Sequence, residues 1–291
     1  MSDPALPTVA ALLTQAHKAG LDRLDAHLLL GAVLGRSRSW LIAHDTDPVP
    51  AHDAARFSDW AARRADGEPV AYLLGEKEFH GLPLQVGPGV LVPRPDTETL
   101  VDWALELIAP DAPWRVLDLG TGSGAIALAV AHARPSSAVT AVDASPVALQ
   151  TAQTNAQRLG LNLRGLEGSW LAPVSGECFD LILSNPPYIA EGDPHVPALR
   201  HEPIEALTAG PDGLDDLRVI VRDAPAHLTA GGWLLLEHGH DQGAAVRDLL
   251  QAAGFDIVST RRDLGMQERC TGGRWPGVAK RHQPPASAAS A

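Results

Sequence analysis

The run Trp114–Leu119 (WRVLDL) leads straight into Gly120-Thr121-Gly122-Ser123-Gly124 and then into Ala125–Ala133, which is apolar on every side. A short apolar run that ends in glycines predicts a strand buried on both faces, and such strands belong to parallel sheets. A helix apolar all round must be buried too, packed on that sheet. The glycines adopt backbone shapes closed to other residues and let a ligand approach the main chain. This one strand–turn–helix unit therefore restricts the chain to an α/β fold that binds a ligand at the carboxyl edge of its sheet.

The rest of the chain agrees. From Pro95 onward strands and helices alternate, with further strands expected at Ala138–Val142, Phe179–Ser184, Trp233–Glu237 and Phe255–Thr260. Ser145 is an N-cap and Pro146 a first helical residue, and that helix carries Leu149, Ala152, Ala156 and Leu159 on one stripe before Gly160. The order βαβαβ predicts a Rossmann-like, doubly wound sheet over residues 95–283 with right-handed crossovers. Residues 1–75 read as a small bundle of short helices. In the second of these, Asp22 is the cap, Leu24, Leu28 and Ala32 recur at spacing four, and Gly35 is the stop. Residues 76–94 contain two short apolar runs punctuated by Gly81, Pro83 and Gly87-Pro88-Gly89, which predicts a β-hairpin linker. Residues 284–291 are Pro, Ala and Ser, the composition of a disordered tail.

Composition excludes several functions. A net charge of -12 over 291 residues argues against a broad grip on nucleic acid, which needs clustered Lys and Arg. No apolar run is long enough to span a membrane, and the N-terminus resembles no signal or transit peptide. Cys178 and Cys270 fit neither a disulfide framework nor a zinc motif, and read as buried thiols in a reducing cytoplasm. His238 and His240 read as solvated imidazoles at a loop end, without a third metal ligand. The chain is taken as a monomer.

Two further features carry chemistry. Asp143 ends the second strand about 20 residues past the glycine turn, the separation at which an acid meets ribose hydroxyls. The pattern Gly120-x-Gly122-x-Gly124 also has Ala125 where a dinucleotide fingerprint allows it, so this signal fits NAD and S-adenosylmethionine alike. Asn185-Pro186-Pro187-Tyr188 directly follows the strand FDLILS, at the same sheet edge. An amide or aryl amine nitrogen is a poor nucleophile because its lone pair is delocalised. The Asn185 side-chain oxygen and a carbonyl such as that of Pro186 can accept its N–H groups, and the prolines fix that carbonyl in place. The lone pair is then free to face a sulfonium methyl, and Tyr188 can pack on the flat acceptor. Asn185, Pro186 and Tyr188 are thus the candidate catalytic residues, with Pro187 completing the substrate site.

These residues closely resemble the PrmC/HemK family. The resemblance runs through GEKEFHG (75–81), LVPRPDTE (91–98), DLGTGSGAIA (118–127), Asn185–Tyr188, GLDD (213–216) and GGWLLLEHG (231–239). It implies a methyltransferase that uses S-adenosylmethionine, releases S-adenosylhomocysteine, and modifies the glutamine of the Gly-Gly-Gln motif in class-1 peptide-chain release factors at the amide nitrogen. By resemblance, Gly120, Thr121, Gly122, Ser123, Gly124, Asp143, Trp170 and Asn185 contact the cofactor, and the helical bundle recognises the protein substrate. Pro93–Glu98 resembles the release-factor group more than the sister enzymes that methylate a ribosomal protein glutamine. Nucleic-acid amine methyltransferases share the Asn-Pro-Pro-Tyr loop and are the alternative. Two positions depart from the family's usual pattern: Asp96 stands for Glu, and Ser169 stands for the Asp before Trp170, a carboxylate expected to meet the adenine amino group.

Overall fold

The computed structural model describes residues 6–277, so the expected tail at 284–291 lies outside the described residues. Five helices come first: α1 (Val9–Lys18), α2 (Arg23–Leu34), α3 (Arg38–Ala43), α4 (Ala51–Ala65) and α5 (Val70–Leu74). Thr8, Asp22 and Ser37 cap the first three by accepting main-chain amides. Their shared core contains Leu12, Leu29, Leu30, Leu41 and Phe57. The stripe Leu24, Leu28, Ala32 is not in it. These residues face outward, and α2 buries Ala26, Leu29, Leu30 and Val33 instead. Leucines occur on both sides of α2, so spacing alone identifies the helix and not its buried face.

Strands β1 (Glu76–Phe79) and β2 (Leu82–Gln85) pair as an antiparallel hairpin. The hairpin is shorter than expected. Pro88 cannot donate to a ladder and Gly89 has φ of 97°, so residues 87–94 leave the pairing. Val86, Val90 and Val92 pack instead with Ala71 and Tyr72 of α5 and with Ala148. The Tyr72 hydroxyl donates to the Val90 carbonyl at 2.5 Å, which fastens the bundle's last helix to this segment.

The main sheet contains β3 (Arg115–Leu119), β4 (Ala138–Asp143), β5 (Arg164–Glu167), β6 (Phe179–Ser184), β7 (Leu228–Glu237), β8 (Asp256–Arg262) and β9 (Glu268–Arg274), in the spatial order β5-β4-β3-β6-β7-β9-β8. The pairs from β5 through β7 are parallel, and β9 runs antiparallel to both of its neighbours. Alternate side chains go to opposite faces. Val116, Leu181, Leu183 and Leu235 meet α6 (Glu98–Leu107), α7 (Ala125–Ala133) and α8 (Pro146–Leu159). Leu117, Leu119, Ile182, Leu234 and Leu236 meet α9 (Asp215–Asp223) and α10 (Gly243–Ala252). No helix among the described residues is long and apolar enough to cross a membrane.

Strands β5 and β9 were not expected. β5 is four residues of mixed polarity at a sheet edge. β9 carries Gly272 and Gly273 where a strand usually has bulky residues. A Cβ on Gly272 would stand 2.3 Å from the Leu235 side chain and 2.9 Å from Trp103, so neighbouring side chains occupy the space its own would need. The chain grows outward from β3 to β4 and β5, then returns to lay β6 on the other side of β3. Open α/β sheets hold their ligands outside the strand ends at this reversal.

Candidate active site

Strands β3 and β6 are neighbours, with Leu119 opposite Ser184. The Ser184 hydroxyl donates to the Leu119 carbonyl at 2.8 Å. The glycine turn and the Asn-Pro-Pro-Tyr loop therefore leave the sheet side by side.

Within the turn, Gly120, Gly122 and Gly124 have φ of 69°, 56° and 84°, values that favour glycine. Thr121 Oγ1 donates to Asp118 Oδ2 at 2.6 Å. The Gly122 amide donates to Asp143 Oδ2 and the Ser145 amide to Asp143 Oδ1, each at 2.8 Å. The acid that ends β4 thus braces the turn and starts α8. Burial raises the Asp143 carboxyl, and the amides of Ser145, Gly122 and Ala144 oppose the rise. Asp118 is fully buried and its Oδ1 has no hydrogen-bond partner among the described residues. Burial pushes its carboxyl up to about 7, against the Thr121 hydroxyl and the Ala127 amide.

Above the turn lies a cavity of about 460 Å³, whose walls include Gly120, Gly122, Asp143, Trp170, Asn185 and Pro187. Thr121, Ser123 and Gly124 do not line it. Thr121 and Ser123 are buried beneath it, and Gly124 caps α7 where a Cβ would crowd Leu128 and Ala152 at 3.0–3.2 Å. Trp170 has φ of 46°, and its ring is 3.4 Å from where a Cβ on Gly120 would be. The indole therefore stands against the turn as a flat wall. Asp216 lines the same cavity; burial raises its carboxyl, while the nearby Trp170 opposes that rise. Asp216 brings an acid to the Trp170 wall, where Ser169 has none.

A second, more open cavity of about 810 Å³ separates the bundle from the sheet edge. Leu28, Arg64 and Val70 line it from the bundle, and Arg94, Pro186, Tyr188 and Glu202 from the other side. Buried Glu202 is fixed twice: Arg94 Nη2 donates to Oε1 at 2.5 Å and the Val92 amide to Oε2 at 3.0 Å. Asn185 lines both cavities. The four-residue loop is thus shared out: Pro187 faces the smaller space, Pro186 and Tyr188 the larger, and Asn185 stands between them.

Three groups support this loop. Asn185 Nδ2 donates to Thr97 Oγ1 at 3.3 Å. Gln242 Nε2 donates to the Tyr188 carbonyl at 3.0 Å. The Tyr188 hydroxyl donates to Glu237 Oε1 at 3.4 Å. Burial, with Glu237 beside it, pushes the Tyr188 phenol well above its ordinary value, so it stays protonated. Glu237 is itself buried, and burial raises its carboxyl to about 7. Residue-by-residue reading of the sequence assigned no role to Thr97, Asp216 or Glu237. All three lie in quoted motifs, PRPDTE, GLDD and LLLEHG, and a buried acid at a strand's carboxyl end is a signal in its own right.

Two readings need correction. His238 is fully buried rather than solvated: Nε2 meets Thr271 Oγ1 at 2.7 Å and Nδ1 the Gly239 carbonyl at 2.8 Å. It ends a central strand, so the sheet covers it, and no metal-holding cluster occurs among the described residues. Cys270 is buried as expected, but Cys178 is exposed in the turn before β6; both are free.

The arrangement joins a smaller cavity to a larger, more open one through a single carboxamide. A model described as the PrmC N-terminal domain matches residues 5–75, and one described as the methyltransferase small domain matches residues 99–207. A release factor glutamine methyltransferase of Bordetella pertussis is 54% identical over 258 residues, 87% of this chain and 95% of that protein. Another, from Xylella fastidiosa, is 49% identical over 275 residues, 94% of this chain and 100% of that protein. Among solved structures, a methyltransferase from Pyrococcus furiosus has the same fold, with a TM-score of 0.54 at 21% identity over 76% of this chain and 100% of that chain.

Proposed function

This chain belongs to the family of release factor glutamine methyltransferases, and on that premise we propose that it methylates class-1 peptide-chain release factors. The acceptor is the side-chain amide nitrogen, N5, of the glutamine in their Gly-Gly-Gln motif, and the donor is S-adenosylmethionine. The observation that carries this reading is Asn185, one side chain lining two cavities of different character.

The residues of the smaller cavity fit the donor. Gly120 offers bare backbone, Trp170 a flat wall for a purine, and Asp143 and Asp216 offer carboxyls for ribose and amino groups. When bound, S-adenosylmethionine supplies an electrophilic methyl group on a sulfonium. The chain's own part is to hold the acceptor. Asn185 Oδ1 and the Pro186 carbonyl accept the two N–H groups of the glutamine amide, so its nitrogen is presented from the larger cavity toward the smaller. The same two acceptors stabilise the positive charge that develops on that nitrogen. The methylated amide is then strongly acidic and yields its proton to water. The bundle, which supplies Leu28, Arg64 and Val70 to the larger cavity, grips the body of the factor. On this reading the chain acts as a monomer in the cytoplasm; its two cysteines, both free, agree with a reducing compartment.

The test is transfer of labelled methyl from S-adenosylmethionine to a purified class-1 release factor, beside a variant whose motif is changed from Gly-Gly-Gln to Gly-Gly-Ala. Label is expected in the first and not the second. Equal labelling of both, or of neither, refutes the assignment.

A further inference from the structure

Asn185 and Pro186 offer acceptors for the side-chain amide of the substrate glutamine. The main chain that carries that glutamine needs a hold of its own, and the larger cavity contains a donor placed for the task. Arg94 lines this cavity together with Asn185, Pro186 and Tyr188. Pro93 and Pro95 flank it, and a residue before proline is confined to extended backbone. Arg94 accordingly has φ of -98° and ψ of 143°. Its carbonyl accepts from the Thr97 amide at 3.1 Å. That bond closes a turn whose ends lie within about 7 Å, Cα to Cα, and Thr97 in turn meets Asn185. Arg94 is thus anchored one turn away from the carboxamide.

A buried acid aims the guanidinium. Arg94 Nη2 donates to Glu202 Oε1 at 2.5 Å, and Glu202 Oε2 takes the Val92 amide at 3.0 Å. The Glu202 side chain is 3% exposed and that of Arg94 38%. A planar guanidinium carries more N–H donors than one carboxylate oxygen can take. The bond to Glu202 is the only hydrogen bond of the Arg94 side chain among the described residues, so its other N–H groups are left for a ligand. The cavity's other arginine differs: Arg64 is committed to the Asp25 carboxylate and the Glu68 carbonyl, both within the bundle. What Arg94 can recognise follows from its partner. With Glu202 beside it the pair has no net charge, so it attracts a carboxylate weakly. Its remaining N–H groups are still strong donors to a neutral carbonyl oxygen.

We propose that Arg94 holds a main-chain carbonyl of the acceptor peptide, from one of the two glycines that precede the glutamine, with Glu202 fixing the direction of the guanidinium. Glycine has no side chain to shield its carbonyl, so a Gly-Gly segment can lie against a donor on the cavity wall. Asn185 and Pro186 then take the side-chain amide and Arg94 the main chain, and the glutamine is located at two points rather than one. A second fixed point restricts how the side chain pivots, and transfer of a methyl group needs that restriction. The inference rests on the proposed function, since it names a further contact for that substrate.

The test uses the full chain, an intact class-1 release factor and short peptides that contain Gly-Gly-Gln. In two of the peptides one glycine carbonyl at a time becomes a thioamide, which keeps the N–H and replaces the oxygen by sulfur, a weaker acceptor. For the wild type, one of these two is expected to show KM raised about fivefold or more over the all-oxygen peptide. Arg94→Met is expected to raise KM about 10-fold or more for the factor and for the all-oxygen peptide, the weight of a charged hydrogen bond. It should show no thioamide penalty, because the contact is already gone. Its affinity for S-adenosylhomocysteine, by calorimetry, stays within about twofold, since Arg94 is not among the walls of the smaller cavity. Arg94→Met leaves Glu202 buried without its cation, which lowers stability. The double Arg94→Met/Glu202→Gln removes that charge and keeps an oxygen for the Val92 amide. It is expected to show the same KM at a melting temperature closer to wild type. Equal thioamide penalties in wild type and variants, or no penalty in the wild type, overturn the inference. So does a wild-type KM in Arg94→Met. A peptide that neither accepts methyl nor competes with the factor overturns it too, because the proposed grip lies within the peptide. A wild-type chain inert on the factor sinks the functional reading itself and this inference with it. An active wild type with any of the other adverse results sinks the Arg94 contact alone.

Discussion

Asn185 gives the fold little, and on the proposed function it gives the reaction much. Its side chain makes one 3.3 Å bond, to Thr97, so truncation costs about 1 kcal/mol of stability or less. Asn185→Ala is expected to keep its melting temperature within a few degrees and to lose at least about 100-fold in kcat, the usual effect of deleting one aimed hydrogen-bonding group. Methylation kinetics beside a thermal melt decide the matter, and near wild-type turnover would refute the acceptor role. Asp118 is the opposite case, a buried acid that supports the turn and touches no ligand cavity. Its carboxyl stands at about 7 when folded, against an ordinary 3.8. The folded chain therefore binds a proton that the unfolded chain has already released. The stabilisation from that proton is whole below about pH 4 and is lost as the pH rises to about 7. Asp118→Asn keeps the shape and cannot ionise, so its melting temperature should fall less across that window than that of the wild type. Melts followed by circular dichroism from pH 4 to pH 8 give the two slopes; parallel slopes would refute the account.

At the scale of elements, the loops at the sheet edge are packed without slack. Gly213, just before α9, has φ of 71°, and a Cβ there would stand 2.1 Å from the Tyr188 carbonyl oxygen. That oxygen is already fixed by Gln242, so neither side can yield cheaply. Gly213→Ala is expected to cost at least about 2 kcal/mol and to displace the Asn185–Tyr188 loop, since strain in φ adds to a backbone clash. Gly160 ends α8 with φ of 67° and nothing within 4 Å of its Cβ position. Gly160→Ala should cost only the conformational term of about 1 kcal/mol and leave turnover unchanged. Urea titration and kcat on both variants test the contrast; equal effects would show that the loop is not tightly held. Elements with a strong local signature were legible in the sequence. Capped helices and apolar strands appear where expected, within a residue or two, except that β7 starts at Leu228 and not at Trp233. Strand β9 was not legible, because Gly272 and Gly273 contribute space rather than side chains to their neighbours. The buried face of α2 was not legible either, because both of its faces carry leucine.

At the scale of the whole molecule, one residue of the outward stripe of α2 faces the site. Leu28 is 47% exposed and lines the larger cavity, across from Pro186 and Tyr188. If the bundle grips the release factor, Leu28→Glu should raise KM for the intact factor several-fold, as a charge in an apolar contact does. It should not change KM for a short Gly-Gly-Gln peptide, and being exposed it should not lower the melting temperature. An equal rise on both substrates would refute the gripping role. The sequence by itself determined the doubly wound sheet, the turn and loop at its edge, and the planar nitrogen as acceptor. Each is written in contiguous residues, in strand-ending glycines and a fixed Asn-Pro-Pro-Tyr order, and local stereochemistry is enough to interpret them. Only the tertiary structure decided that Thr121, Ser123 and Gly124 support the turn while Gly120 and Gly122 face the cavity. It also decided that Asp216 stands beside Trp170, that Thr97 meets Asn185, and that Glu237 meets Tyr188. Those pairings join residues 46 to 88 positions apart. The sheet order that unites them depends on how whole strands pack, and no local pattern in the chain encodes that.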